Sequence, residues 1–307
     1  MAQPRRQQAR WKDTSLSLSG IIPPMATPFT ERGTVDTDAF REEVHYLIDM
    51  DVHGLAVGDS TGEGQTLTAD EIWSLAEIAV QEADGRVPVI AGLIVNSTRQ
   101  AVLRGRMLRD VGIAALLVPP VHYLFAPDEA GFYDYYSTIG SEVGLPVLIN
   151  NGVPWSYASP EVLTRIVWEV DEVVGVKQGT GDLHALAELQ VRLLGRGLVM
   201  ASVDDLLYSS FCLGAKGAIT AILTAVPGVC LDLWGAVQEG WHSEAQDLHE
   251  RLLWVWMSLR GPNLPARVKA AMRVQGRSGG LVRAPMNPPS PEEEEEIRIA
   301  LQEAGVL

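Results

Sequence analysis

The sequence predicts an α/β fold, a (β/α)8 TIM barrel with an extra C-terminal helical region, from three observations. First, eight short apolar runs rich in β-branched residues recur along the chain, and each leads through a Gly- or Pro-bearing loop into a segment with apolar residues three and four apart. Second, strands that alternate with helices pair in parallel, and eight such units favour a closed barrel over an open sheet. Third, the chain from about Ala225 keeps the helical periodicity without a further strand run. Those last residues are therefore predicted to form helices beside the barrel.

The predicted elements follow one another at regular spacing. The strand runs are Ile21-Ile22, Leu55-Ala56-Val57, Val87 to Ala91, Ala114 to Val118, Val147-Leu148-Ile149, Val173 to Val176, Leu198 to Ala201 and Ala218-Ile219-Thr220. A helix is predicted from Asp38 to Met50, and others begin at the capping box of Thr68 to Glu71, at Ser159-Pro160 and at Ser290-Pro291. We expect a flexible N-terminal tail over residues 1–19, the barrel over 20–224 and the helical region over 225–307.

The composition restricts the class of protein. The 307 residues are 47% hydrophobic and 21% charged, as in a globular protein. The chain has 39 acidic and 24 basic residues, and the net charge of −15 opposes binding to a nucleic acid. No run has the roughly 20 apolar residues of a membrane span, and no apolar segment follows the basic N-terminus, so we expect neither a membrane partner nor a secretory signal. Two cysteines, Cys212 and Cys230, are too few for a disulfide framework, which favours the cytoplasm.

One lysine stands out in this pattern. In a barrel of parallel strands the functional site lies at the C-terminal ends of the strands. The chain has four lysines, of which Lys12 lies in the tail, Lys216 precedes strand eight and Lys269 lies in the C-terminal helices. Only Lys177 ends an apolar strand run. We therefore expect its side chain to enter the site.

A lysine at that position allows two interpretations. A neutral amine attacks the carbonyl carbon of a ketone to give an imine, and the protonated imine is an electron sink that lets an adjacent bond break or form. Because the ordinary pKa of lysine is about 10.4, this chemistry needs surroundings that disfavour the ammonium form. The alternative is a structural salt bridge between Lys177 and an acid at the end of another strand.

The loop after strand two, Gly58 to Gly64, is rich in glycine and hydroxyl groups. It matches neither a phosphate loop nor a dinucleotide-binding motif. Its backbone N–H groups and the hydroxyls of Ser60 and Thr61 suit a carboxylate, although a tight turn that requires glycine explains the loop equally well. At other strand ends we take Ser202 as a substrate-binding residue. No cluster of His and acidic residues has the spacing of metal ligands, so we expect no metal and no cofactor.

Three segments together resemble one known family. They are Gly58 to Glu63 after strand two, Val89 to Gly92 with Asn96-Ser97-Thr98 after strand three, and Gly175 to Asp182 at strand six. They are similar to the dihydrodipicolinate synthase/N-acetylneuraminate lyase family of pyruvate-type class I aldolases, over about Gly20 to Leu307. The resemblance implies a (β/α)8 barrel that acts on 2-oxo acids and forms a homo-oligomer, either a homotetramer built as a pair of dimers or a dimer.

The same resemblance assigns roles to particular residues. It implies that Lys177 is the Schiff-base lysine and that Ser60 and Thr61 hold the carboxylate of a 2-oxo acid. It also implies that the backbone of Ile219 borders that site. Tyr123, in a strand-four loop longer than the family's, is expected to replace the tyrosine that reaches a neighbouring subunit's site, although His122 or simple interface packing remains an alternative.

Two departures from the family bear on the substrate. Family members usually have Tyr-Asn-Val-Pro after strand five, and that tyrosine relays protons; here Asn150 stands in its position. Since asparagine does not titrate usefully, a water, Thr61 or another side chain would have to move the proton. The arginine that binds a second carboxylate in the synthases is also missing from Val153 to Tyr157. We therefore expect an enzyme other than dihydrodipicolinate synthase.

The sequence leaves two functions open. The first is a Schiff-base-forming lyase, an aldolase or a dehydratase, that acts on pyruvate or a longer 2-oxo acid through Lys177. The second is a catalytically decayed family member that binds a 2-oxo acid or regulates in response to it. A metal-dependent barrel enzyme has little support.

Overall fold

The computed structural model of the chain describes residues 18–123 and 125–307. Its centre is a barrel of eight parallel strands, in the order β1-β8-β7-β6-β5-β4-β3-β2, with helices packed around it. The predicted fold class is confirmed.

The elements alternate along the chain as expected. The strands are β1 (Gly20–Ile21), β2 (Leu55–Val57), β3 (Val89–Gly92), β4 (Ala115–Val118), β5 (Val147–Asn151), β6 (Val173–Gln178), β7 (Leu198–Ala201) and β8 (Gly217–Ala218). The helices of the barrel part are α1 (Thr37–Asp49), α2 (Ala69–Ala83), α3 (Thr98–Arg109), α4 (Glu129–Val143), α5 (Pro160–Glu169), α6 (Leu183–Leu193), α7 (Leu207–Cys212) and α8 (Ala221–Ala225). They are followed by α9 (Pro227–Glu239), α10 (His242–Leu259), α11 (Leu264–Val274) and α12 (Pro291–Glu303). Within the described residues no helix is long and apolar enough to cross a membrane.

The ends of several helices follow from local hydrogen bonds. The Thr68 side chain accepts from the N–H of Glu71, whose carboxylate accepts from the N–H of Thr68, and this capping box starts α2 as predicted. The Ser159 side chain accepts from the N–H of Val162 at the start of α5. At α12 the Ser290 side chain caps in the same way, again with a capping box. These bonds satisfy backbone donors that a helix otherwise leaves free.

Strand ends differ from the predictions by at most two residues. Strand β1 begins at Gly20 and has only two residues, and β8 ends at Ala218, so Ile219 and Thr220 lie just beyond it. Conversely, β6 continues through Lys177 to Gln178. The hydrophobic run indicates which residues are buried, but the end of a strand depends on which neighbour supplies hydrogen bonds.

The barrel closes between β1 and β2 through a few backbone hydrogen bonds. The N–H of His53 donates to the carbonyl of Ile21, the N–H of Ala56 to Pro23, and the N–H of Met25 to Ala56. Apolar side chains fill the barrel interior, among them Leu18, Ile22, Ile90, Leu117, Leu148 and Met200. Most of the expected tail, residues 1–17, lies outside the described residues. Leu18 was also expected in that tail, but it is buried inside the barrel, so the barrel core begins before residue 20.

The C-terminal helices share their core with the barrel. One continuous apolar cluster contains Ile21 and Ala218 of the barrel strands together with Leu233, Leu252 and Leu301 of α9, α10 and α12. The helical region predicted after Ala225 is therefore present and packs directly against the strands. A boundary at residue 224 remains a prediction, because the shared core gives no separate unit on either side.

Candidate active site

The Lys177 side chain lies inside the C-terminal end of the barrel. Its neighbour Val176 packs in the layer between strands and helices, and because side chains alternate along a strand, Lys177 faces the interior. The side chain is 5% exposed. The structure therefore places Lys177 where the sequence predicted it.

The amine of Lys177 has a carboxylate partner. Its Nζ donates to Oδ2 of Asp59 at 2.6 Å, and Asp59 is itself 1% exposed. This is the salt bridge that the sequence left open as the alternative to imine chemistry. Pairing at this distance offsets part of the desolvation cost that each ionisable group would meet alone in the barrel interior.

Asp59 owes its position to the turn that ends β2. Gly58 has a φ of +68°, and a Cβ on it would lie 1.9 Å from Cδ1 of Ile72. Only glycine fits this backbone, and the turn directs the next side chain, that of Asp59, into the barrel mouth.

Asn150 of β5 is the third member of this cluster. It pairs in register with Lys177 of the neighbouring β6 strand. Its Nδ2 donates to Oδ1 of Asp59 at 3.1 Å, so the two oxygens of the carboxylate are divided between Asn150 and Lys177. A carboxylate only accepts hydrogen bonds, which fixes the orientation of the amide. Oδ1 of Asn150 is then buried with no hydrogen-bond partner among the described residues.

A second buried carboxylate, Asp204, follows β7. Its Oδ1 accepts from the N–H of Ile222 at 2.7 Å. Burial raises its pKa from 3.8 to about 6, against the lowering effects of the Ile222 N–H, the Thr220 hydroxyl and the charge of Lys177. Asp204 is therefore close enough to the lysine for the two charges to interact, and it titrates nearer neutrality than an ordinary aspartate.

The hydroxyl pair predicted to hold a carboxylate lies in a tight turn. Residues Ser60–Gly62 form a single 3-10 turn in which Ser60 is exposed and Thr61 is 6% exposed. The Oγ1 of Thr27 donates to the carbonyl of Gly62 at 2.7 Å and fixes this turn against the β1 loop. Thr61 follows Asp59 by two residues, so the turn brings the hydroxyl pair to the same end of the barrel as Lys177.

The other predicted site residues lie at different depths. Ile219 is fully buried beyond β8, and its N–H donates to the carbonyl of Ala201. Ser202 is half-buried at the end of β7, near Gly179. Tyr123 is 68% exposed, so within one chain it stands in solvent rather than beside Lys177. Its predicted contribution to a neighbouring site remains a prediction.

Two acids of the cluster were not among the predicted site residues. Asp59 and Asp204 lie directly after β2 and β7 in the sequence. A signal for both was present, because a strand-end lysine in a barrel calls for an acid at another strand end. Their convergence on Lys177 depends on barrel curvature, which the sequence does not show. Among the described residues no group of three or more His, Cys, Asp or Glu side chains could hold a metal ion.

Comparison with known proteins finds the same fold in solved structures and identifies the family of this chain. Residues 17–304 match the family model described as the dihydrodipicolinate synthetase family. The chain belongs to this family. The 4-hydroxy-tetrahydrodipicolinate synthase of Methanopyrus kandleri is 31% identical over 295 residues, which cover 94% of this chain and 97% of that protein.

Solved structures of the dihydrodipicolinate synthetase family superpose closely. Dihydrodipicolinate synthase from Aquifex aeolicus has a TM-score of 0.89 and 30% identity, over 94% of this chain and 98% of its own. The E. coli family member YagE, solved in complex with pyruvate, has a TM-score of 0.89 and 26% identity, over 95% and 100%. Members of the family are class I pyruvate lyases, which supports the prediction that this protein is an enzyme. Membership does not determine its substrate.

Proposed function

We propose that this protein is a Schiff-base lyase that forms an imine between Lys177 and pyruvate or a longer 2-oxo acid. The observation that carries the proposal is the Lys177 side chain, which is buried at the barrel mouth of a chain that belongs to a family of class I pyruvate lyases. An ammonium group cannot attack a carbonyl carbon, so a lysine needs a base to become a nucleophile. The ion pair with Asp59 does not exclude this chemistry, because a carboxylate in contact with the nitrogen can also accept the proton that an ammonium group must lose.

The surroundings of Lys177 support a 2-oxo acid as the first substrate. Thr61 and the turn at Ser60–Gly62 present hydroxyl and backbone N–H groups at the same end of the barrel. Such groups bind a carboxylate. YagE, which shares this fold, was solved with pyruvate. We propose that the turn holds the substrate carboxylate while Lys177 reacts with the adjacent carbonyl.

The distribution of cations supports a second substrate, or a leaving fragment, without a second carboxylate. Among the described residues of the loops that follow the eight strands, the only arginine or lysine is Arg32, which is exposed. The loop after β5 carries Trp155 instead, whose Nε1 donates to the carbonyl of His122 at 2.7 Å. This supports the prediction that the enzyme is not a dihydrodipicolinate synthase itself.

Borohydride trapping tests the proposal. We expect pyruvate followed by borohydride to add one stable adduct, found by peptide mass spectrometry on the peptide that contains Lys177. Lys177→Ala should give none. Lys216→Ala is the matched control, because Lys216 is exposed on the loop before β8 and should leave the adduct unchanged. Absence of an adduct with every 2-oxo acid tried, or an adduct that persists in Lys177→Ala, would contradict imine formation.

A second function, binding without turnover, is favoured by one observation. Asn150 occupies the position where the family carries a proton-relaying tyrosine, and an amide does not titrate usefully. A protein of this kind would be stabilised against heat by pyruvate but would not turn over any aldehyde or sugar acid. Measured turnover of one candidate would reject it.

A further inference from the structure

Imine formation moves two protons, and the cluster around Lys177 must provide a path for them. The ammonium form of lysine carries three protons on nitrogen, and the protonated imine carries one. The two that leave end on the substrate oxygen, which departs as water. A group that touches Nζ and can both take and give a proton is therefore required.

Among the described side chains, the hydrogen-bond geometry favours Asp59 as the group that exchanges protons with Lys177. It accepts directly from Lys177 Nζ at 2.6 Å, and it is a carboxylate, which exchanges protons. Asn150 does not titrate, and the hydroxyl of Tyr157 is occupied by donating to the carbonyl of Gly179 at 3.0 Å. Asp204 feels the charge of Lys177, but its Oδ1 is held by the N–H of Ile222.

We propose that Asp59 is the catalytic proton carrier for imine formation at Lys177, in place of the tyrosine that the family has at Asn150. This inference rests on the proposed function. The carboxylate first takes one proton from the ammonium group, which frees the nitrogen lone pair. The amine nitrogen then bonds to the carbonyl carbon of the 2-oxo acid, the π electrons move to the oxygen, and Asp59 returns the proton to that oxygen.

The second transfer uses the same carboxylate. Asp59 takes another proton from the nitrogen of the carbinolamine and gives it to the hydroxyl group. The C–O bond breaks, water leaves with the bonding pair, and the nitrogen lone pair forms the C=N bond. The products are a protonated imine, an ionised Asp59 and one water molecule, so the three nitrogen protons and all charges are accounted for.

Asn150 is a positioning residue in this scheme. By donating to Oδ1 of Asp59 it leaves Oδ2 for the amine. Its own buried Oδ1 has no partner in the described structure, and it lies in the same cluster as the reacting nitrogen. It is therefore available to accept a hydrogen bond from the hydroxyl of the carbinolamine when that intermediate forms.

The test measures the rate of imine formation, separately from turnover. Enzyme and pyruvate are mixed, quenched with borohydride at increasing times, and the trapped fraction is read by protein mass spectrometry. In Asp59→Asn, which keeps the shape but loses the carboxylate, we expect the rate to fall by about 100- to 10,000-fold, the usual contribution of acid–base catalysis. In Asp59→Ala we expect added formate, a small carboxylate, to restore part of the rate in proportion to its concentration.

Glu43→Gln is the matched control for loss of a buried charge. Glu43 forms a buried ion pair with Arg277 outside the barrel mouth. Its substitution removes a carboxylate from a comparable pair, and the trapping rate of the folded protein should stay as in the wild type. Near-UV circular dichroism reports folding for every variant. If Asp59→Asn does not fold, Asp59→Ala in formate takes its place, because formate returns the missing anion.

The outcomes distinguish a failure of the proposed function from a failure of the proton-carrier role of Asp59. No adduct in the wild type ends the proposed function, and with it the role of Asp59. An adduct in the wild type, formed at the same rate in folded Asp59→Asn, overturns only the proton-carrier role. A rate that is equally low in Asp59→Asn and Glu43→Gln, or one that formate does not raise in Asp59→Ala, also overturns it, since the loss would then be structural.

Discussion

Buried ionisable side chains are the residues whose environment this fold controls most strongly. Lys177, Asp59 and Asp204 lie at the C-terminal end of the barrel, Glu43 lies in α1, and Glu63 lies in the loop after β2. Each is almost fully removed from water. The free energy of each depends on the partner that the barrel brings to it, which makes them sensitive positions for mutation.

Asp204 gives a prediction for the dependence of stability on pH. Its pKa is raised from 3.8 to about 6 by burial, so the folded state binds this proton more tightly than the unfolded state. Between those two values a rise in pH removes the proton from the unfolded chain first, and the free energy of unfolding falls. Above pH 6 the loss is complete, at about 3 kcal/mol from roughly 1.4 kcal/mol per pKa unit.

Asp204→Asn should therefore stabilise the protein, because the amide oxygen still accepts from the N–H of Ile222 but no longer ionises. We expect the gain to approach 3 kcal/mol at pH 8 and to disappear towards pH 4, as measured by urea unfolding across that range. A difference in stability that is the same at every pH would show that the carboxyl group does not titrate as described.

Lys177 and Asp59 differ in how well the sequence predicts them as site residues. Lys177 was predictable because one lysine ended an apolar strand run in a chain with only four lysines. Its partner Asp59 was not, although it stands in the same glycine-rich motif as Ser60 and Thr61. The two residues are 118 positions apart in the sequence, and only the closed curvature of the sheet brings them together. No local pattern encodes that distance.

At the scale of elements, α11 is fastened to the loop after β2. Lys269 of α11 is fully buried, and its Nζ donates to Oε1 of Glu63 at 2.5 Å and to the carbonyl of Leu281 at 2.6 Å. The same nitrogen lies 4.6 Å from the centre of the Phe29 ring. Burial lowers the pKa of Lys269 to about 8, although the charge of Glu63 acts in the opposite direction. The pair fixes the C-terminal helices to the loop that carries Asp59.

Lys269→Met should destabilise the protein by about 3–5 kcal/mol, because it leaves the Glu63 carboxylate buried without a countercharge. The double variant with Glu63→Gln removes both charges and should recover part of that loss. Urea unfolding of the wild type, both single variants and the double variant measures the coupling. If the double variant is destabilised by the sum of the two single variants, the pair contributes no interaction energy.

Helices were predictable to within one or two residues where their caps are local, as at Thr68 and Ser290. The ends of the strands were less predictable. The two-residue strands β1 and β8 pair mainly with each other at Gly20 and Gly217, and their ends are set by that contact rather than by their own residues. The contact of α11 with the loop after β2 also depends on the tertiary structure, because Lys269 and Glu63 are 206 positions apart in the sequence.

At the scale of the whole molecule, aromatic side chains stand exposed around the barrel mouth. Tyr123 and Phe125 are 68% and 79% exposed, and Trp155 is 65% exposed. Large exposed apolar side chains in one region are typical of an interaction surface. Members of the family are generally oligomeric, and we expect Tyr123 and Phe125 of the loop after β4 to meet a second subunit.

Mixed oligomers test whether Tyr123 serves a neighbouring subunit. Lys177→Ala subunits should be inactive, and Tyr123→Ala subunits should lose about tenfold or more in turnover while still forming oligomers by light scattering. When the two variants are unfolded and refolded together, a site with an intact lysine can face a subunit with an intact tyrosine, so activity should rise above either parent. Mixtures that show only the average of the two would place Tyr123 outside the site.

The long separation of Asp59 from Lys177 has a consequence for the newly made chain. Asp59 is made 118 residues before Lys177, so a nascent chain carries this carboxylate without its partner until β6 has been synthesised. An unpaired carboxylate is costly to bury. We therefore expect Asp59 to stay hydrated, and this end of the sheet to stay open to water, until β6 is in place.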